Sequence, residues 1–127
     1  MTQEDSIQLT SQAVNWAKSY GVDPTGFVGL WSDEIGDNIM GLCSYHYDGA
    51  RRYVKLHVTY RFKEYPLAAK CVLWHEYCHG DKWVKEGKDD PSAHGSAWKD
   101  RCWRKPILFI LDYTYCKILF LKLRIKG

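Results

Sequence analysis

Five consecutive residues, His75-Glu76-Tyr77-Cys78-His79, combine two imidazoles and a carboxylate at a spacing suited to metal-assisted hydrolysis. They follow an apolar run, Leu67-Ala68-Ala69-Lys70-Cys71-Val72-Leu73-Trp74, that reads as a helix. Helix positions four apart share a face, so His75 and His79 point to one spot and can hold a single Zn²⁺. Glu76 lies one residue along, close enough to reach a water at that metal without ligating it. Zinc lowers the pKa of such a water to about 7, and a neighbouring carboxylate can accept its proton. The pentad therefore offers two ligands and a general base. A third ligand must come from elsewhere in the chain.

Downstream, the candidates are His94, Glu86, Asp89, Asp90 and Asp100. His94 is preferred, because it opens a predicted helix after the polar stretch Asp81 to Ala93, and such a loop can return it to the first helix. Glu86 stands too soon after His79 for a ligand on a separate helix. His46 and His57 lie upstream on predicted strands and read as strand-face histidines. Cys78 sits inside the pentad but on another side of the helix, so packing is its expected role. Trp98 and Trp103 read as core anchors of the second helix.

The elements that must position these groups follow from the pattern. Ser6 to Tyr20 has apolar residues at helical spacing, with Gly21 as a stop. A turn over Val22 to Gly26 leads to a short strand, Phe27 to Trp31, and a turn over Asp33 to Asp37 follows. Ile39 to Tyr47 and Arg52 to Phe62 read as strands joined at Asp48-Gly49, a hairpin signal. Val54, Leu56, Val58 and Tyr60 alternate with Tyr53, Lys55, His57 and Thr59, so one face of that strand is expected to be buried. Pro66 fits the first turn of the metal-site helix, which is expected to end near Gly80. A second helix is expected from His94 or Gly95 to Lys105, with Pro106 stopping it. This order predicts an α+β fold: an N-terminal helix, an antiparallel three-stranded sheet, the pentad helix and a following helix with the third histidine. Residues 106–127 read as an apolar, basic tail, either a strand or partly disordered; a basic amphipathic helix at a surface is the lesser alternative.

At 127 residues, 46% hydrophobic and 15% aromatic, the chain is expected to be one globular domain able to bury a core without relying on a metal. The net charge of +3 neither requires nor excludes nucleic acid. Five cysteines with no C-x-x-C pair indicate neither a disulfide framework nor a zinc ribbon. With no signal-peptide pattern at the start, the expected location is the cytoplasm, with nuclear or host-cell placement also compatible. Ile107 to Leu121, interrupted by Asp112 and Lys117, is too short and polar to span a membrane.

Two histidine motifs carry a resemblance. His75-Glu76-Tyr77-Cys78-His79 followed by His94-Gly95-Ser96-Ala97-Trp98-Lys99 resembles the SprT-like (SprT/Spartan) zinc metalloprotease domain, in which a third histidine stands in an H-G-x-x-aromatic signature. Gly41-Leu42-Cys43-Ser44-Tyr45 and Tyr53-Val54-Lys55-Leu56 are similar to the hairpin ahead of that family's metal helix. The resemblance spans roughly residues 5 to 105 and sets a division into a SprT-like domain, 1–105, and the tail, 106–127. It implies a small zincin-like α+β fold, Zn²⁺ held by His75, His79 and His94, and Glu76 as catalytic base. It also implies a zinc metalloendopeptidase acting on protein substrates; the chain is expected to be a monomer. The family includes a DNA-dependent protease that clears DNA–protein crosslinks, which raises DNA-associated proteins as substrates.

Arg51, Arg52, Lys55, Arg61 and Lys63 lie among Tyr45, Tyr47, Tyr53 and Tyr60. Such interleaving suits single-stranded DNA through phosphate contacts and base stacking, while a solvated strand face with core tyrosines is the plainer reading. The alternative function is a nucleic-acid-binding module whose zinc is structural or vestigial.

Overall fold

Helix α1 (Gln3–Ser19) has Glu4 and Asp5 in its first turn and Lys18 in its last, each sign matched to the helix dipole. Gly21, at φ +70°, ends it. The Val22 N–H closes the turn on the Ala17 carbonyl at 2.7 Å. The computed structural model describes residues 3–22, 24–33, 38–88, 90 and 92–126. The turn expected over Asp33 to Asp37 lies almost wholly outside them.

Three strands follow, β1 (Phe27–Ser32), β2 (Gly41–Tyr47) and β3 (Arg52–Thr59), in the order β1-β3-β2. The β2–β3 hairpin is antiparallel and closes at Asp48, whose Oδ1 accepts from the Ala50 and Arg51 N–H groups at 2.8 and 2.9 Å. Strand β1 instead runs parallel to β3, from Phe27 opposite Val54 to Ser32 opposite Thr59. The sheet is therefore mixed, which corrects the expectation of an antiparallel sheet. Alternating hydrophobicity reports which face of a strand is buried but carries no information on its direction. Val54, Leu56 and Val58 of β3 are inward as expected, but the strand ends at Thr59, and Tyr60, also expected on the buried face, is exposed in the 3-10 turn that follows.

Helix α2 (Pro66–Glu86) starts with Pro66 in its first turn and carries the pentad. Eleven of its 21 residues are buried, because it lies between the sheet and the C-terminal helices. It does not end near Gly80. Gly80 lies inside the helix, where a Cβ would come 2.9 Å from Val54 Cγ2 and 3.1 Å from Cys43 Sγ, so the glycine permits close helix–sheet contact. The stop is Gly87, at φ +70°, whose N–H bonds to the Trp83 carbonyl.

The C-terminal half of the core consists of α3 (Ser96–Cys102), α4 (Pro106–Leu111), a π-helical turn (Asp112–Cys116) and α5 (Lys117–Lys126). The last three run as one helical segment. Residues 106–126 are thus neither a strand nor a disordered tail. Phe109, Asp112, Cys116, Phe120 and Leu123 recur at helical spacing and form the inward face, with Phe62 and α2 as neighbours. The local alternation of Leu121, Leu123 and Ile125 with basic residues concealed this longer period. Among the described residues, no helix is long and apolar enough to cross a membrane.

Candidate metal centre

Helical spacing within α2 brings His75 and His79 to one side, with Nε2 atoms 3.2 Å apart. His94 joins them across the loop, its Nε2 3.3 Å from that of His75. One nitrogen from each of the three rings lies within 4.8 Å of the others, close enough to hold a metal ion. Glu76 is buried beside them, its Oε2 3.8 Å from His75 Nε2. All four residues singled out from the sequence therefore meet at one place.

His94 was expected to open the second helix but lies in the turn before α3. Gly95 is the N-cap, in extended backbone at φ −79° and ψ −173°, so the helix begins only at Ser96. It ends at Cys102 rather than Lys105. The turn is held by Arg101, whose Nε donates to the Cys78 carbonyl at 2.8 Å and whose guanidinium pairs with Asp90. Arg101 thereby fastens the loop preceding His94 to the helix that carries the other two ligands.

Trp98 forms the floor of the cluster. It is fully buried, and its ring centre lies 4.8, 5.2 and 4.7 Å from those of His75, His79 and His94. Its Nε1–H donates to the His75 carbonyl at 3.3 Å. The sequence suggested only core packing for Trp98, and the structure adds support for all three imidazoles. Trp103 is half exposed and is not a core anchor.

The electrostatics favour a neutral ring, as a ligand needs, at His79 and His94 but not at His75. Burial, then repulsion by charge on His75 and His94, pushes the His79 pKa down to about 3. Burial and the same His75 charge lower His94. At His75 burial also works downward, but a hydrogen bond to Asp112 and the charges of Glu76 and Asp112 outweigh it and leave the pKa raised. Burial raises Glu76 to about 7, opposed by His75 and helped by Asp112.

Asp112 was visible in the sequence only as an interruption of an apolar run. It is buried, and its Oδ2 lies 2.7 Å from His75 Nδ1. A lone acid amid apolar residues at helical spacing is the signal that could have marked it, since a buried carboxylate requires a partner.

The other candidates stand apart. Asp90 pairs with Arg101, Glu86 ends α2, Asp100 lies within α3, and Asp89 is outside the described residues. His46 and His57 flank Ser44, at 2.8 and 3.1 Å from its Oγ, in the β2–β3 hairpin. Cys78 is buried against Cys102, and burial with that contact raises its pKa. Three members of the basic cluster have partners within the chain. Arg52 donates to the Trp83 carbonyl, Arg61 to the Leu123 carbonyl, and Lys63 pairs with Asp5.

Two shallow cavities flank the cluster. One, of about 460 Å³, is lined by Ile39, Met40, Val72, Tyr113 and Lys117 together with His75, Glu76 and His94. The other, of about 340 Å³, lies along Gly41, Leu42, Cys43 and Tyr45 of β2. Fold and site together define an α+β domain with a three-histidine cluster capable of holding a metal and a buried carboxylate beside it. No protein-family model, curated protein or solved structure matches the chain.

Proposed function

We propose that this chain is a zinc metallopeptidase of SprT-like type. The observation that carries the proposal is the convergence of the His75, His79 and His94 nitrogens next to the Glu76 carboxylate. The separations support zinc. Two nitrogens bound tetrahedrally at about 2.0–2.1 Å from one ion stand about 3.3 Å apart, close to the 3.2 and 3.3 Å between the Nε2 atoms here. Three neutral imidazoles also fit a catalytic zinc set, which has three protein ligands.

Bound zinc would supply a Lewis acid that polarises a carbonyl and acidifies water. His75, His79 and His94 hold the ion. Glu76 accepts a proton from the attacking water and delivers it to the leaving amine. Strand β2 is an outer strand of the sheet and borders the cluster, so an extended peptide has a strand edge to pair with.

Zinc stoichiometry and casein cleavage, measured for wild type and Glu76→Gln, test the proposal. The expected result is one zinc per chain in both proteins, with cleavage only in wild type. Zinc-dependent cleavage undiminished in Glu76→Gln would remove Glu76 from its role. Repeating the assay with single-stranded DNA tests whether DNA-associated proteins are the substrates. Salt-dependent DNA binding with no proteolysis under any condition would favour the nucleic-acid-binding module instead.

A further inference from the structure

The C-terminal segment reaches the metal centre through one side chain. Asp112 opens the π-helical turn between α4 and α5, and its side chain is 5% exposed. A π turn shifts the residues around it relative to a regular helix, and such turns cluster at functional sites. Here the turn faces α2, and Asp112 Oδ2 lies 2.7 Å from His75 Nδ1. A carboxylate at that distance accepts the Nδ1–H. In the neutral ring the other nitrogen, Nε2, is then the one free of a proton. That Nε2 is the atom that the Nε2 atoms of His79 and His94 approach to 3.2 and 3.3 Å. A single lone pair cannot serve both neighbours as hydrogen-bond acceptor, whereas one shared ion accommodates all three nitrogens.

We propose that Asp112 is a positioning residue for the metal centre, holding the His75 ring in one orientation and in the Nδ1–H tautomer so that Nε2 faces the ion. The inference rests on the metal site of the proposed function. It extends that site to a segment outside the SprT-like resemblance, and it assigns the buried carboxylate a role beyond packing. Carboxylate partners of ligand histidines fix ring orientation and raise ligand basicity, and their loss weakens metal binding about 10- to 100-fold.

The test is zinc affinity by competition with a chromophoric chelator, for wild type, Asp112→Asn and Asp112→Ala. It is paired with the ¹⁵N shifts of the His75 ring in the metal-free proteins. Wild type is expected to show the Nδ1–H tautomer. Asp112→Ala is expected to lose about 10- to 100-fold in affinity and to gain the Nε2–H tautomer. Asp112→Asn, of the same shape and with an amide oxygen able to accept, is expected to fall between them. Circular dichroism of the metal-free variants checks folding, and if Asp112→Ala does not fold, Asp112→Asn decides. Wild-type affinity and tautomer in a folded Asp112→Ala, or in Asp112→Asn where only that variant folds, would overturn the inference while leaving the metal site intact. Absence of zinc binding by wild type would overturn the metal site and the inference together.

Discussion

Gly41 of β2 stands directly against Glu76 of α2. A Cβ built on Gly41 would lie 3.1 Å from Glu76 Oε2, 2.4 Å from Val72 Cγ1 and 3.0 Å from the His57 carbonyl oxygen. The last is backbone and Val72 is buried, so neither can move aside cheaply. Gly41→Ala is therefore expected to destabilise the fold by about 1–3 kcal/mol and to displace the Glu76 carboxylate. Urea unfolding and the cleavage assay measure the two effects. A fully stable, fully active Gly41→Ala protein would show that β2 and α2 are not held this closely in solution.

Trp98 is the largest fully buried side chain and lies beneath all three histidines. Trp98→Ala is expected to cost about 3–5 kcal/mol of stability, from lost burial plus the cavity left behind. Zinc affinity should fall as well, because the three rings lose their common floor. Denaturant titration of the metal-free protein separates the packing loss from the loss of metal binding.

His94 is exposed, so its packing contributes little. His94→Ala is expected to leave the metal-free stability within about 0.5 kcal/mol of wild type. It should, however, remove most of the stabilisation by zinc. For wild type at free zinc about 100-fold above Kd, that stabilisation is about 2.7 kcal/mol. In a chain of this size it corresponds to a rise in Tm of roughly 10 °C. Thermal melts with zinc and with chelator give the result, and an equal zinc shift in His94→Ala would require another third ligand.

Glu76 sets a pH dependence in the metal-free protein. Burial raises its folded pKa from 4.5 to about 7. Below 4.5 the carboxyl is protonated in both folded and unfolded chains and carries no penalty. Between 4.5 and about 7 the folded state holds the proton more tightly, so stability falls as pH rises. Over that window Glu76 is expected to account for a loss on the order of 3 kcal/mol. Glu76→Gln should lack this contribution, so its advantage over wild type should grow from pH 4.5 to 7 and then level off. Urea midpoints across that range check the slope.

Much of the site is legible in the sequence. The i, i+4 spacing of His75 and His79 on an apolar helix determines their convergence locally, because helix geometry alone sets it. Glu76 follows from the same rule. His94 was identifiable from its motif, and the inward face of β3 from alternation at Val54, Leu56 and Val58. The hairpin at Asp48-Gly49 is likewise local chemistry, written in the side chain of Asp48.

Other features depended on neighbours distant in sequence. Strand β1 runs parallel to β3 because of how the chain crosses between them, which no strand pattern encodes. Gly80 looked like a helix stop, yet the close approach of Val54 makes it a contact point inside α2. The C-terminal segment alternates locally like a strand, and only burial against α2 and Phe62 selects the helix. That selection brings Asp112 to His75, 37 positions away in the sequence. The pentad thus determined by itself where two ligands and a base would stand. Tertiary packing decided what holds them, because the floor at Trp98, the clamp at Arg101 and the carboxylate at Asp112 all come from chain segments that meet α2 only in the folded core.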